Sequence, residues 1–498
     1  MKFSIPEPVL DIIKKLEASD FQAFIVGGCV RDLILGREPQ DWDVATGAKP
    51  EEIQKLFPDS VYENEFGTVA VKTGSTDPKL AIIEVTTFRS EEKYSDFRHP
   101  DKISFAKTIK EDLARRDFTI NALAINIGDV GIVDPFDGQQ DLKKKLIRAV
   151  GEPKERFEED ALRLMRAVRF SAELGGFSAR GGPASGWKIE EKTALAIKET
   201  APLLKHIAQE RIRDEFVKII MAKNGGPYAG IIELEAFGLL KYFLPELREG
   251  IEVNQAKHHI FTVWEHNLLS LDYAARQNYS LEVRLGSLFH DAAKPRVKRG
   301  EGEEATFYNH EVVGAKMTRQ ILERLHFSKK VIDKVVHLVR WHLFYYNVGE
   351  VTEAGVRRFI SRVGLEHIDD LLRVREADRI GSGVPKAFPY KLRHLQFMIE
   401  KVRTDPIGPK MLGIKGDEIM KILGIEPGPR VGWILGILLE EVLDDPSRNE
   451  RQYLESRIKN LGDLSDDQLK KLADKAKDRK EEFESGIEEE IKKRHRVS

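Results

Sequence analysis

Two kinds of hydrophobic spacing divide this chain. In its first third, apolar residues come in short runs rich in β-branched side chains and bounded by turn formers: Phe24 to Val26, Thr68 to Lys72 (TVAVK) and Leu80 to Phe88 (LAIIEVTTF). These predict strands. Lys49 to Phe57 (KPEEIQKLF) has helical spacing instead, with Pro50 suited to a first turn. Beyond Gly151 the helical period takes over for most of the remaining chain, as in Arg156 to Leu174. The pattern predicts an α/β head followed by a long all-α portion.

The stretch FIVGGCVRDLILGREPQDWDVAT, Phe24 to Thr46, concentrates the head's chemistry. It reads as a strand, a double-glycine turn (Gly27, Gly28), a brief helix carrying Arg31, and a second strand bearing Asp41 and Asp43. Side chains at i and i+2 of a strand leave the same face, so both aspartates can reach one divalent ion or an adjacent pair. Magnesium takes a few carboxylates plus phosphate oxygens, glycine lets backbone N–H groups approach a phosphate, and Arg31 offers a guanidinium fork to it. Taken alone, a D-x-D or a G-G before a helix is far more often only a turn. Glu84, central in the LAIIEVTTF strand, is either a third carboxylate of that site or a partly exposed strand position.

Periodicity disappears from Arg89 to Ala106, which predicts a loop of functional length. Next, IKEDLARRDFTINALAINI predicts a short helix carrying Arg115, Arg116 and Asp117, then a strand from Phe118. The adjacent arginines suit an anion with the aspartate orienting them, or else a surface salt bridge. VDPFDG is a turn. On the helix Arg156 to Leu174, Asp160, Arg163 and Arg166 at i, i+3 and i+6 share one face, an acceptor beside donor forks or a solvated ion pair. Gly175 to Trp187 (GGFSARGGPASGW) predicts a Gly-rich surface loop.

A second constellation lies between Lys257 and Tyr346, extended by one later aspartate: His266, His290 with Asp291, Lys294 one turn on, His310, His337, His342 and Asp378. Imidazoles and carboxylates converging from apolar helices suit a transition metal or a metal pair. Ile414 to Val442 predicts a turn, GIEPGP, launching an amphipathic helix, and from Leu464 on the chain is a charged amphipathic tail.

At 498 residues the chain is expected to hold three or so domains. No stretch approaches the ~18 apolar residues of a membrane span, and the N-terminus reads as a helix start, so a cytoplasmic location without membrane partners is expected. The single cysteine, Cys29, excludes a disulfide within the chain and a thiolate cluster, and fits a small buried hydrophobe. The 80 basic and 82 acidic residues nearly cancel, so any nucleic-acid surface has to be local.

Taken in order, GGCVRDLILGREPQDWDVAT, RHP within the loop, DLARRDFTINALA, DPFDG and EEDALRLMRAVRF resemble the class II tRNA nucleotidyltransferases, bacterial CCA-adding enzymes and their poly(A) polymerase relatives. EPGPRVGWILGILLEEVL resembles their helical C-terminal part, and His266, His290, Asp291 and Asp378 resemble the H…HD…D pattern of HD-domain phosphohydrolases. The resemblance implies a nucleotidyltransferase head with a mixed β-sheet (1–150), a helical neck (151–250), an HD domain (251–385), a helical body (386–460) and the charged tail (461–498). It assigns Asp41 and Asp43 to two catalytic Mg2+ ions, Gly27, Gly28 and Arg31 to the triphosphate, and Arg115, Arg116 and Asp117 to support of the nucleotide and its sugar. Asp160 and Arg163, with Arg166 beside them, would read the base of CTP or ATP without a template. The implied partners are CTP, ATP and the 3′ end and acceptor arm of tRNA. The implied alternatives are a poly(A) polymerase, or an enzyme adding only CC or only A; the presence of the loop argues against CC alone. An active HD domain would be a metal-dependent phosphohydrolase on 2′,3′-cyclic ends or 2′-phosphates. His266, His290, Asp291 and Asp378 would be its ligands, His310 and His342 additional ones, and Lys294 a phosphate contact.

Overall fold

A computed structural model describes residues 3–62, 67–92, 102–128, 131–175, 186–223, 225–255, 260–344, 346–348, 351–383, 390–405 and 408–476. After an N-terminal helix, Glu7–Glu17, the head is built on β1 (Ala23–Val26), β2 (Asp43–Thr46), β3 (Ser60–Tyr62), β4 (Thr68–Lys72), β5 (Ile82–Thr87), β6 (Arg89–Glu92), β7 (Lys102–Phe105), β8 (Ala124–Asn126) and β9 (Gly131–Val133). Seven of these form one sheet in the order β3-β4-β5-β2-β1-β8-β9. Only β2 and β5 run parallel within it, so the sheet is mixed, as expected. β1 is buried along its whole length, which is why it reads as a continuous apolar run, whereas β5 alternates exposed and buried residues. Among the described residues after the head the regular elements are helices, apart from a two-residue parallel pairing of Leu146–Ile147 with Lys188–Ile189.

Several local expectations are corrected. β2 begins at Asp43, so Asp41 lies just before the strand and not on it. The stretch Arg89 to Ala106 is no uniform loop: its ends pair antiparallel as β6 and β7, with Arg89 opposite Phe105 and Glu92 opposite Lys102. A polar two-stranded ribbon has no buried face to impose alternation, so its sequence carries no strand signal. Residues 93–101, RHP among them, lie outside the described part. The helix after Thr108 ends at Ala114, so Arg115, Arg116 and Asp117 follow it. Phe118 opens a 3-10 turn, Thr119–Asn121, and the strand starts only at Ala124. The helix expected from Arg156 to Leu174 is two, Pro153–Glu159 and Leu162–Leu174, broken at Asp160, whose backbone is extended and whose Oδ1 accepts from Leu162 N at 3.0 Å. An aspartate side chain that accepts from the backbone two residues on competes with continuing the preceding helix. Of the Gly-rich segment, 176–185 lie outside the described residues, as do 477–498 of the tail; the described part of the tail is helical over 466–476 and buries Leu469.

One continuous apolar core runs from the head sheet through the neck helices into those that follow. The neck helix Gln209–Met221 is tied to the helix Leu281–Phe289 by Arg284, which is fully buried. Its Nη1 donates to the carbonyls of Ile220 at 2.9 Å and Ala222 at 3.0 Å, and its Nε to Tyr279 O at 2.9 Å. The guanidinium thus satisfies carbonyls left open where the neck helix ends.

Candidate active site and histidine centre

The head site forms where β1 runs out. Gly27 has φ +84°, and a Cβ there would stand 2.8 Å from Arg116 Nη1 and 3.4 Å from Asp43 Oδ2. Only glycine lets the turn, the guanidinium and the carboxylate meet. Asp43 is flanked in register by Val26 on β1 and Glu84 on β5. Its carboxyl is pushed up to about 6, foremost by burial; Arg116 opposes the shift, and the charges of Asp41 and Glu84 add to it. Burial and the neighbouring negative charges that disfavour ionised Asp43 are what a divalent cation at this position would relieve.

Carboxylates that orient the arginines were only partly foreseen. Buried Asp112 accepts from Arg115 Nε at 3.0 Å and Nη2 at 2.8 Å, and from Arg116 Nη2 at 3.4 Å. Burial raises its pKa, yet the two guanidiniums hold it below the usual carboxylate range. Asp117, expected to orient those arginines, instead takes Arg166 through Nε at 2.7 Å and Nη2 at 2.6 Å. Against the penalty of burial, Arg166 and Arg163 hold Asp117 down at about 2. Asn121 completes a relay: its Oδ1 accepts from Arg31 Nη1 at 2.9 Å and its Nδ2 donates to Asp117 Oδ1 at 3.3 Å.

Asp160 and Arg163 do not pair with each other. Asp160 accepts from Arg211 Nη2 at 2.9 Å and Nη1 at 3.3 Å. Arg163 donates to Glu159 Oε2 at 2.6 Å, Arg156 O at 3.0 Å and Arg115 O at 3.1 Å, which joins neck to head. Both side chains are thereby preset by neighbours the sequence reading had missed. Asp112 was detectable, standing three and four residues before the arginines on a predicted helix; Arg211, 51 residues beyond Asp160, was not.

The second constellation does converge. His266, His290, Asp291 and Asp378 place one ligand atom each within 4.8 Å of one another, and Asp291, His310 and His342 form a second such group, all of these residues buried. His266 Nε2 lies 2.9 Å from His290 Nε2 and 3.1 Å from Asp291 Oδ2. The other carboxylate oxygen, Asp291 Oδ1, is 3.0 Å from His310 Nε2 and 3.6 Å from His342 Nε2. Nδ1 of His290, His310 and His342 each faces a backbone carbonyl, of Ser287, Phe307 and Val339, at 2.7–2.9 Å. Donation there fixes the tautomer and turns three Nε2 lone pairs inward, the second-shell arrangement of a metal-ligating imidazole. Lys294 Nζ stands 2.6 Å from Asp291 Oδ2 and 2.6 Å from Gln255 Oε1. His337 is not in either group; its ring lies 4.4 Å from that of His367.

Over 461 residues, 90% of this chain and 94% of its relative, the sequence is 46% identical to the CCA-adding enzyme of Enterococcus faecalis. The chain belongs to the CCA-adding enzyme family. A family model described as the poly A polymerase head domain matches residues 23–148, one described as a probable RNA and SrmB-binding site of polymerase A matches 186–251, and an HD domain model matches 263–380. The match to the CCA-adding enzyme of Limosilactobacillus reuteri, also 46% identical, is shorter, 240 residues that make up 48% of this chain and 55% of that protein. Among solved structures, the Bacillus stearothermophilus CCA-adding enzyme in complex with CTP superposes with a TM-score of 0.68 at 27% identity, covering 92% of this chain and 98% of that one. The head and HD families are metal-dependent, and the acidic and histidine groups described above can hold metal. No described helix is long and apolar enough to cross a membrane.

Proposed function

We propose that this chain adds CCA to tRNA 3′ ends from CTP and ATP, without a nucleic-acid template. The observation that carries the reading is the meeting of Asp43, Glu84, Gly27 and Arg116 at one end of β1. Asp41 and Asp43, with Glu84 beside them, would hold two Mg2+ ions, which when bound supply Lewis-acid activation of the primer hydroxyl and neutralise the leaving pyrophosphate. The chain's own groups do the rest. Arg31 and Arg116 donate to triphosphate oxygens, and Gly27 removes the side chain that would block them. Asp160, held as an acceptor by Arg211, takes the exocyclic N–H of cytosine or adenine, while Arg163 donates to the neighbouring ring nitrogen. Uracil and guanine present a carbonyl to Asp160 and an N–H to Arg163, which leaves buried polar groups mismatched. With Mg2+, CTP, ATP and a tRNA lacking CCA, the purified chain is expected to add three nucleotides. Asp41→Ala and Asp43→Ala are expected to lower incorporation at least about 1,000-fold, as loss of a metal-centred transition-state contact does. Absence of C addition by the wild type would sink the reading, and long A tails on arbitrary RNA would point to a poly(A) polymerase.

The histidine centre favours a second reading, a metal-dependent phosphohydrolase. Three imidazoles whose Nδ1 atoms are engaged by backbone carbonyls turn their Nε2 atoms toward a shared carboxylate, a donor set suited to a metal. Ligand residues would be His266, His290, Asp291 and Asp378, joined by His310 and His342, with Lys294 placed for a phosphate. Hydrolysis of 2′,3′-cyclic phosphate on an RNA end, lost in His290→Ala, tests it; equal hydrolysis by both proteins contradicts it.

A further inference from the structure

Phe170 sits at the head–neck junction, 3% exposed, with three guanidiniums around its ring. The central carbons of Arg31, Arg166 and Arg169 lie 5.4, 5.3 and 4.1 Å from the ring centroid. Three cations so placed repel one another, and each has its own carboxylate: Asp32 for Arg31, Asp117 for Arg166 and Glu215 for Arg169. Arg31 comes from the head helix Gly28–Ile34, whereas Arg166 and Arg169 come from the neck helix Leu162–Leu174. The side chains of Arg31 and Arg166 remain 13% and 31% exposed. The relay through Asn121 and Asp117 joins the same two arginines by hydrogen bonds. Ring and relay are therefore two independent struts across one span.

A purely space-filling role explains the burial of Phe170 and its edge contact with Phe118, centroids 5.7 Å apart. It does not explain why cations from two parts of the chain gather at its π-system, where each gains about 0.5–2 kcal/mol from the ring quadrupole. We propose that Phe170 is a positioning residue for nucleotide binding: its ring sets the spacing of Arg31 and Arg166, so head and neck present one preassembled cationic frame to a nucleoside triphosphate. The inference rests on the nucleotidyl-transfer reading, because only there do both arginines face the nucleotide.

Replacing Phe170 in the full chain by mono-, di- and trifluorophenylalanine drains the ring quadrupole while nearly keeping its shape. KM for CTP and for ATP is expected to climb stepwise with fluorine number to about tenfold, equivalent to about 1.4 kcal/mol. KM for tRNA stays put across the series, while the melting temperature falls by a few degrees as the cation–π contacts of the folded chain weaken. Phe170→Leu moves nucleotide KM the same way. A flat nucleotide KM across the fluorinated series, or an equal rise in KM for tRNA, overturns the inference while leaving the nucleotidyl-transfer reading standing. A wild type that incorporates no CTP overturns that reading instead.

Discussion

Glu233 makes a sharp test of how burial governs this fold. It lies on the helix Gly226–Ala236 against the neck helix Leu162–Leu174; Ser171 Oγ donates to its Oε1 at 2.8 Å, and its Oε2 is buried with no hydrogen-bond partner among the described residues. Burial pushes its carboxyl up to about 7, and the single hydroxyl donor offsets this only in part. Because the folded value exceeds the unfolded one of about 4.5, the folded state holds the proton more tightly. The stabilisation is complete below the unfolded pKa and is lost as pH rises through the folded one. Integrated from pH 5 to pH 8, that linkage removes about 2.5 kcal/mol. Glu233→Gln has no proton to lose, so the stability difference between variant and wild type is expected to move in the variant's favour by that amount over the interval. Urea unfolding of both proteins at the two pH values reads it, since titrations common to both cancel. A difference independent of pH, or one that moves in favour of the wild type, refutes the reasoning.

Arg284→Met removes the donors that satisfy the carbonyls of Ile220, Ala222 and Tyr279. It is expected to cost about 2–3 kcal/mol in the same urea assay, because buried acceptors are left unpaired. Asp112→Asn removes the carboxylate that pairs with both Arg115 and Arg116; KM for CTP and ATP is expected to rise roughly tenfold by steady-state kinetics, with KM for tRNA held within about twofold. At the histidine centre, the shared carboxylate makes Asp291 unique. Elemental analysis is expected to show that Asp291→Ala loses all bound transition metal, whereas His310→Ala keeps the share held by His266, His290 and Asp378.

The sequence disclosed what repeats and what is chemically dense. β-Branched runs located β4 to the residue, and the two-part architecture followed from the change of hydrophobic period. The histidine centre was legible because imidazoles seldom gather on apolar helices without cause. What stayed hidden depends on distance or on competition. Nothing near Asp160 announces Arg211, and an aspartate that bonds the backbone two residues on looks, inside a strong helical pattern, like any other helical residue. The swap by which Asp112 takes Arg115 and Arg116 while Asp117 takes Arg166 turns on where the first helix stops. Helix ends are decided by tertiary partners as much as by local propensity.

Arg284 has a further consequence for how RNA would move on this molecule. The helix it grips at one end, Gln209–Met221, carries Arg211 and Glu215, which pair with Asp160 and Arg169; the helix it belongs to leads directly into His290 and Asp291. One chain of buried contacts thus connects the two centres. If both centres act on RNA, the steps are expected to run distributively, with an intermediate that an excess of competing RNA intercepts.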